Sequence, residues 1–507
     1  MSDLRALAAG VLCSGFDATS IDEHLEERLR ALPLAGVILF ARNIVSLEQT
    51  RALTERICAI YGSQVRPIIA IDQEGGRVAR LRDGVEVLPS MMALAATGDQ
   101  DLAQRAGEQL GFDLRRAGCN VDFAPVLDLA LFDENTVIGA RSFGDDPERV
   151  AAFGTAFARG LEAAGIVATY KHFPGHGSTA VDSHLDLPVI DLPEAVLRAR
   201  DFVPFARILS DARAVMTAHI VVRAMDSEHP ATLSPRLLTE LLRDDLGFAG
   251  VCFTDCMEMD AIRMSVGTAE GAVRALIAGA DCVLISHSLD LACESVDRIV
   301  EAVTSGRLTR ERLQSAFDRV GRLRASLAPP RELDAPPPHP GVGREIGRRA
   351  VTRLRGDSHA DPAGSIVVSF EGSTVEGAQG AHTQHPSLAR ICGAGMAELT
   401  VSLDPGQTQR EEMLQALERA QRRPLVMMRR AHVFAGQAEA VGAILCRYPD
   451  ALIVSLREPF DALRIAGATH VLCTYGDEKP SIEGLAEVIL GREAARGVLP
   501  LDLSAVS

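Results

Sequence analysis

The sequence predicts an α/β protein in which a (β/α)8 barrel precedes a smaller α/β sandwich domain. Three observations support this prediction. Short apolar runs recur through the first two-thirds of the chain, and patterns typical of helices lie between most of them. A proline-rich stretch then separates them from a second alternation of strand and helix signals. Strands that alternate with helices favour a parallel sheet with right-handed crossovers.

Seven runs in the first region are predicted strands. Nearly all of their residues are apolar, as expected for strands that are buried on both faces. A series of βα units over about 320 residues suits a barrel. No eighth strand is evident, so a doubly wound sheet is the alternative. The seven runs are 36–40, 67–72, 119–125, 167–173, 214–219, 250–255 and 281–286.

Capping signals support the intervening helices. Ser46 and Gln49 form a capping box before a helix that is expected to run towards Tyr61. Asp146, followed by proline, is expected to begin another helix, which Gly165 would end.

The clearest domain boundary is the proline-rich segment 328–343, which favours an extended, semi-rigid chain. We therefore predict a catalytic barrel over 1–327, a linker over 328–343 and an α/β sandwich domain over 344–507. A helix is predicted over 344–355. The predicted strands of the second domain are 365–370, 399–403, 424–428, 451–456 and 469–475.

Composition excludes several classes of function. The chain has 507 residues and a formal net charge of −16, which argues against nucleic-acid binding through a basic surface. No uninterrupted apolar run approaches the roughly 20 residues of a membrane helix, and we expect no secretion signal. The ten cysteines are scattered, without a CxxC pair or a Cys/His cluster. We therefore expect reduced thiols, a cytoplasmic location, and neither metal nor cofactor.

Polar residues stand at the ends of several apolar runs. In a barrel, catalytic groups lie at the carboxyl ends of the strands. Asp72 ends one run, Lys171 and His172 end another, and His219 and Asp255 end two more. A single strand-end aspartate is often only a helix cap, but several polar ends at one rim indicate a site.

The segment 171–184 (KHFPGHGSTAVDSH) is the most informative part of the chain. After Lys171 and His172 it supplies Asp182 and His184, two residues apart. In an extended loop these side chains point to the same side. A carboxylate beside an imidazole can fix its tautomer and raise its basicity, which suits acid/base catalysis. The alternative is a long surface loop with incidental charges.

These motifs resemble the bacterial β-N-acetylglucosaminidases of glycoside hydrolase family 3. KHFPGHG followed by DSH is the specific match. GVILFARNI, IDQEGGRVARL, FAPVLD, RSFGDDPERV, PATLSP and LRDDLGFAGVCFTD follow the family's order, and CTYGDEKPSIEGLAEVILGREAARGVLPLDL resembles the end of its second domain. The resemblance covers nearly the whole chain.

The resemblance implies a retaining, two-step hydrolysis of terminal β-linked N-acetylglucosamine. Asp255 would be the nucleophile, with His184 and Asp182 as the acid/base dyad in place of the usual glutamate. Substrate-binding residues would be Asp72, Arg141, Lys171 and His172, whereas only supporting roles are expected for His176 and His219. Since the chain has no tryptophan, hydrogen bonds would hold most of the sugar. The sequence departs from the usual family motif directly after the expected nucleophile, where Cys256 and Met257 replace an aspartate and a leucine.

Three alternatives remain at this level. The first is a phosphorylase that uses the same site, because a neutral histidine does not repel phosphate as a glutamate would. The second, a β-glucosidase of the same family, is disfavoured because such enzymes lack the DSH histidine. The third is a non-catalytic sugar-binding protein. The expected partners are a small carbohydrate or a muropeptide from peptidoglycan, whereas nucleic acid and membranes are not expected and the oligomeric state is open.

Overall fold

The first region of the structure, a computed structural model, is a closed barrel of eight parallel strands. The structure describes residues 2–62, 66–179, 187–371, 386–393, 395–465 and 467–503. The strands of this region are β1 (Leu12–Ser14), β2 (Gly36–Leu39), β3 (Ile68–Ile71), β4 (Val121–Asp122), β5 (Val167–Phe173), β6 (Val189–Ile190), β7 (Ala214–Thr217), β8 (Val221–Val222), β9 (Val251–Cys256) and β10 (Cys282–Ile285). The barrel order is β1-β10-β9-β7-β5-β4-β3-β2, while β6 and β8 pair with each other outside it.

The barrel confirms the predicted fold class and excludes the doubly wound alternative. Each of the seven predicted strands has a counterpart, and β5 has the predicted bounds. All seven residues of β5 are buried, as expected for a strand enclosed on both faces. The eighth strand is β1, which closes the barrel between β10 and β2. It has only three residues, too few to show a periodic signal.

Helices surround the barrel. They are α1 (Ser2–Ala9), α2 (Glu23–Ala31), α3 (Leu47–Tyr61), α4 (Met91–Ala96), α5 (Gln100–Arg116), α6 (Pro147–Ala163), α7 (Glu194–Ala199), α8 (Val203–Ile208), α9 (Asp260–Arg263), α10 (Thr268–Ala278), α11 (Leu289–Thr304) and α12 (Arg310–Ala325). A π-type stretch covers Arg236–Asp245, and 3₁₀ turns cover Ala41–Asn43, Gly139–Arg141 and Ala231–Leu233. Ser46 caps α3 and Asp146 caps α6, as predicted.

The second region is a six-stranded sheet with helices on both faces. Its strands are β11 (Thr352–Arg355), β12 (Ser365–Glu371), β13 (Ala397–Ser402), β14 (Arg423–Met428), β15 (Leu452–Ser455) and β16 (His470–Cys473). Its helices are α13 (Val342–Ala350), α14 (Leu388–Cys392), α15 (Gln407–Ala420), α16 (Ala435–Arg447) and α17 (Lys479–Ile489), with a 3₁₀ turn at Pro459–Arg464. The order is β11-β16-β15-β14-β12-β13, and only the edge strand β11 runs antiparallel to its neighbour.

Alternate residues of this sheet belong to separate apolar cores, which confirms the predicted sandwich. Val426 packs with residues of α15 and α16 on one face, whereas Leu425 packs with residues of α14 and α17 on the other. The predicted helix over 344–355 is wrong in its second half. The helix α13 ends at Ala350, and the chain then forms β11 because Thr352 pairs with Cys473 at the sheet edge.

The two regions share an extensive contact. The residues between α12 and α13, which include most of the predicted linker, form neither helix nor strand. The limits of the two domains stay a prediction. Arg105 of α5 makes two 3.0 Å hydrogen bonds to the carboxylate of Glu345 on α13. The Ser90 hydroxyl donates to the carbonyl oxygen of Tyr475 at 2.6 Å. Within the described ranges, no helix is both long and apolar enough to cross a membrane.

Candidate active site

A cavity of about 450 Å³ opens at the carboxyl ends of the barrel strands. Its size falls in the range of small-molecule sites. The polar residues of its wall come from loops and strand ends all round the barrel. They include Arg42, Asp72, Glu74, Arg80, Arg141, Lys171, His172, His176, Asp255, Cys256, Ser286 and His287. Apolar residues, among them Phe40, Phe123 and Met216, complete the wall.

Four charged groups form a buried cluster on one side of this cavity. The Nζ atom of Lys171 lies 2.8 Å from Oδ1 of Asp72 and 2.6 Å from Oε1 of Glu74. Arg141 donates from Nε and Nη2 to the two oxygens of Glu74, at 2.8 and 2.7 Å. Arg80 adds a longer ion pair, with 3.9 Å between its Nη2 and Oδ2 of Asp72. The cluster therefore presents fixed charges of both signs to the cavity.

Mutual pairing keeps Glu74 and Lys171 ionised despite their burial. Burial alone would raise the pKa of Glu74, but Arg141 and Lys171 outweigh it and hold that pKa well below its ordinary value. Burial alone would lower the pKa of Lys171, but Asp72 and Glu74 raise it above its ordinary value. At neutral pH, both groups are charged and oriented before any ligand arrives.

The histidines after β5 are held by a buried aspartate. Nδ1 of His172 lies 2.6 Å from Oδ2 of Asp128, and the backbone N–H of His176 donates to Oδ1 at 2.6 Å. Burial lowers the pKa of His176 to about 4, so its ring is neutral at neutral pH. Nδ1 of His176 also lies 2.9 Å from the hydroxyl oxygen of Thr179. Asp128 thus fixes the shape of this loop as well as the ring of His172.

Asp255 lies on the opposite side of the barrel from Asp72. It belongs to β9, which is four strands away from β3 in either direction round the closed order. Its side chain is half-buried and lines the cavity. The backbone N–H of Cys256 donates to Oδ1 of Asp255 at 2.7 Å. His219 braces this strand end, because its Nε2 lies 2.9 Å from the carbonyl oxygen of Cys256 and its Nδ1 2.8 Å from the hydroxyl of Thr232.

The structure brings five of the seven predicted site residues to one cavity: Asp72, Arg141, Lys171, His172 and Asp255. The other two, Asp182 and His184, fall in 180–186, outside the described residues. His176 also lines the cavity, whereas His219 contacts the end of β9 through the carbonyl oxygen of Cys256.

Sequence reasoning missed Glu74, Arg80 and Asp128. Glu74 and Arg80 were within the singled-out IDQEGGRVARL motif, so polar residues that follow Asp72 in the same loop were an available signal. Asp128 ends FAPVLD, another motif already noticed. Nothing in the sequence distinguished their contributions, because pairing partners such as Glu74 and Arg141 are 67 residues apart.

Comparison with known proteins gives one consistent family. The family model described as "Glycosyl hydrolase family 3 N terminal domain" matches residues 4–323. A beta-hexosaminidase of Stenotrophomonas maltophilia (strain R551-3) is 39% identical over 317 residues, which are 61% of this chain and 91% of that protein. A beta-hexosaminidase A of Pseudoalteromonas piscicida is 32% identical over 372 residues, 67% of this chain. The match covers 62% of that relative's length.

A solved structure extends the likeness beyond the barrel. The glycoside hydrolase family 3 beta-N-acetylglucosaminidase from Paenibacillus sp. str. FPU-7 has a TM-score of 0.93 to this chain and is 32% identical. The match covers 99% of both chains, including the second sheet. The chain therefore belongs to glycosyl hydrolase family 3, which confirms both the resemblance of its motifs and the predicted class of glycoside hydrolase.

Proposed function

We propose that the protein is a retaining exo-β-N-acetylglucosaminidase with Asp255 as its nucleophile. The observation that carries this proposal is the position of the half-buried Asp255 carboxylate, across one cavity from the cluster of Lys171, Asp72, Glu74 and Arg141. A sugar held by that cluster would present its anomeric carbon to Asp255. The names of the relatives, beta-hexosaminidase and beta-N-acetylglucosaminidase, support the choice of sugar.

In this proposal the charged cluster binds the sugar hydroxyls. Asp72, Arg141, Lys171 and His172 line the cavity with donors and acceptors, and we add Arg80 on the same grounds. Hydrogen bonds to charged groups are strong and directional. Because the cluster is already paired internally, little reorganisation accompanies binding. Such preorganisation favours a single orientation of the terminal sugar.

The first step is attack of an Asp255 oxygen on the anomeric carbon while the leaving oxygen takes a proton. A covalent glycosyl-enzyme forms and the aglycone departs. In the second step, water attacks the same carbon from the opposite face, the bond to Asp255 breaks, and the sugar leaves with its β configuration restored. Each step inverts the anomeric centre, so the whole reaction retains it.

We assign the proton transfers to His184, paired with Asp182. Both residues lie outside the described part of the chain, so the DSH motif carries this assignment. One contact supports it: Thr179, the last described residue before this segment, lies 2.9 Å from the ring of the cavity-lining His176. Thr179 therefore lies beside the cavity.

The dyad can be tested through the leaving group. General acid catalysis contributes about 10²–10⁴-fold, and less when the leaving group is already a good anion. We expect His184→Ala to be severely impaired on a disaccharide but less so on an activated aryl glycoside, with azide restoring release of the sugar. Asp182→Ala should show a milder form of this pattern. The exposed His24 of α2 supplies the control, His24→Ala. Equal losses on both substrates, without azide rescue, would contradict the dyad.

The substrate class is tested with a panel of aryl β-glycosides. We expect the N-acetylglucosaminide to be cleaved with a much higher kcat/KM than the glucoside or the xyloside. A preference for glucoside would overturn the proposal. The same assay with inorganic phosphate separates hydrolysis from phosphorolysis, because only a phosphorylase releases sugar 1-phosphate. A protein that binds N-acetylglucosamine but cleaves no member of the panel would be a sugar-binding protein.

We further propose that the natural substrates are peptidoglycan fragments handled in the cytoplasm. The resemblance of the motifs to bacterial β-N-acetylglucosaminidases supports peptidoglycan fragments as substrates. The cytoplasmic location is supported by ten scattered cysteines without a CxxC pair. Incubation with muropeptides, followed by mass spectrometry for released N-acetylglucosamine, tests the substrate directly.

A further inference from the structure

Three potential metal ligands meet at the edge of the cavity. Cys256 ends β9, Glu258 follows two residues later, and His287 lies just after β10. Their ligand atoms, a thiol sulfur, a carboxylate oxygen and an imidazole nitrogen, all lie within 4.8 Å of one another. Since β9 and β10 are neighbours in the barrel, the two strand ends bring these residues together. The sequence shows no such cluster, because 30 residues separate Cys256 from His287.

Contacts with the surrounding structure position each of the three side chains. The backbone N–H of His287 donates to Oε2 of Glu258 at 2.7 Å, which ties the carboxylate to the loop after β10. The His287 ring stacks on Phe40 with 5.4 Å between the ring centroids. The Cys256 sulfur lies 4.0 Å from Oε2 of Glu258. The ligand atoms are therefore arranged around a small volume before any ion is present.

We propose that Cys256, Glu258 and His287 bind a thiophilic divalent cation such as Zn²⁺, with a fourth position open to the cavity. Three protein ligands and one open position are typical of reactive zinc sites. Ligand atoms in a tetrahedral zinc site lie roughly 3.5 Å apart. Since the observed atoms lie within 4.8 Å of one another, no distance between them needs to shorten by more than about 1.3 Å. Binding displaces the thiol proton, which passes to solvent.

The ligand types select the metal. A thiolate favours Zn²⁺ and other thiophilic ions over Mg²⁺ and Ca²⁺, which prefer oxygen. Cys256 occupies the position at which the resembled family usually has a second aspartate, so this chain has a sulfur ligand in place of an oxygen ligand. The cationic Arg42 acts electrostatically on Glu258 and His287. Its Nη2 and Nε donate to the carbonyl oxygens of Ser286 and Phe16 at 2.6 and 3.1 Å. These bonds direct the guanidinium to the backbone.

A consequence follows for activity, and it rests on the proposed function. Cys256 is the next residue after Asp255, and its N–H donates to that carboxylate. A cation bound there would attract the Asp255 carboxylate and narrow the cavity beside it. We therefore expect Zn²⁺ to inhibit turnover reversibly, with activity restored by a chelator.

Metal binding is measured on the full chain after treatment with a chelator. Titration with Co²⁺ should produce a thiolate-to-metal charge-transfer band, and calorimetry with Zn²⁺ should give one equivalent per chain. Cys256→Ser and His287→Ala should each weaken Zn²⁺ binding at least tenfold, and Cys256→Ser should also abolish the band. Cys446→Ser, which removes an exposed thiol on α16, is the matched control and should behave as the unmodified protein.

Two results would overturn the site. One is the absence of a charge-transfer band in the unmodified protein. The other is equal Zn²⁺ binding by the unmodified protein and by folded His287→Ala, with circular dichroism establishing folding. If Cys256→Ser does not fold, His287→Ala alone decides the question.

The inhibitory consequence is tested separately with the aryl N-acetylglucosaminide. One equivalent of bound Zn²⁺ with undiminished turnover would overturn the inhibition while leaving the binding site intact. Failure of the metal-free protein to cleave any glycoside would instead overturn the proposed function. The calorimetric result does not depend on that activity.

Discussion

The barrel and the second sheet both carry charged residues after the carboxyl ends of parallel strands, but these charges have different surroundings in the two regions. In the barrel, Asp72 and Lys171 belong to a cluster that lines about 450 Å³ of space. In the second sheet, Arg429 follows β14 and Arg457 follows β15. The Nε atoms of both lie close to Oδ2 of Asp477, at 2.8 and 2.9 Å. These charges are directed at one another.

The two regions differ in what covers the carboxyl ends of their strands. The carboxyl edge of the second sheet faces the barrel, where buried Glu458 lies 3.7 Å from Nη1 of Arg77. Gly139 of the barrel leaves room for this carboxylate, since a Cβ there would lie 2.7 Å from its Oε1. Polar strand ends therefore indicate a site only where the fold leaves them an opening. Where another surface covers them, they form an interface.

The largest effect is expected from Asp255→Ala. If Asp255 forms the glycosyl-enzyme, its loss should lower kcat on an aryl N-acetylglucosaminide on the order of 10⁴-fold or more. The thermal midpoint should change little, because the side chain is half-buried at the cavity wall. Asp318→Ala, in an exposed position on α12, is the control. Near-normal activity in Asp255→Ala would show that the nucleophile is another group.

Breaking the barrel cluster should cost both stability and affinity. Glu74→Gln removes the negative charge that pairs with Lys171 and Arg141. Disruption of a buried ion pair typically lowers the free energy of unfolding by about 3–5 kcal/mol. Since the same cations would hold the sugar, we also expect KM to rise roughly 10- to 100-fold, equivalent to about 1.4–2.8 kcal/mol. Denaturant unfolding and steady-state kinetics measure the two effects.

Glu55→Gln is the matched control for this variant, because it removes an exposed carboxylate of α3 that pairs with Arg51 one turn earlier. We expect its stability to change by less than about 1 kcal/mol. If Glu74→Gln loses stability while KM stays constant, the cluster supports the fold but not sugar binding.

Breaking the charged cluster of the second sheet should cost stability alone. Asp477→Asn removes the anion between Arg429 and Arg457, and we expect a loss of similar size, about 3–5 kcal/mol. The kinetic constants of the folded protein should stay within about threefold, equivalent to about 0.7 kcal/mol. Asp450→Asn, which alters an exposed pair with Arg423, is its control. A large rise in KM for Asp477→Asn would show that the second sheet shapes the cavity.

The smallest effect concerns Glu478 at the interface. Burial, reinforced by neighbouring Asp477, raises the pKa of this carboxyl from 4.5 to about 7. The folded protein therefore holds the proton more tightly than the unfolded chain does. The resulting contribution to stability is fully present below pH 4.5 and is lost as pH rises through about 7. Glu478→Gln should flatten the fall in thermal midpoint between about pH 4.5 and 7. An unchanged slope would contradict this titration.

Local patterns were sufficient for most elements but failed where pairing decided the structure. Ser46 and Asp146 cap the helices that they predicted, since capping depends on residues close in sequence. The three-residue β1 was missed because only its pairing with β10 and β2 makes it a strand. In the same way, Thr352 lies in a stretch with helical character and becomes a strand through Cys473.

The sequence by itself determined the alternation of strands and helices, the sandwich after the linker, the family, and five residues of the cavity. These depend on local periodicity, short-range capping and contiguous motifs. Only the tertiary structure decided that the barrel closes, that Glu74 pairs with both Lys171 and Arg141, and that Cys256, Glu258 and His287 converge. The physical reason is the same in each case. Pairing energies depend on distances in space between residues that are far apart along the chain, and no local pattern records those distances.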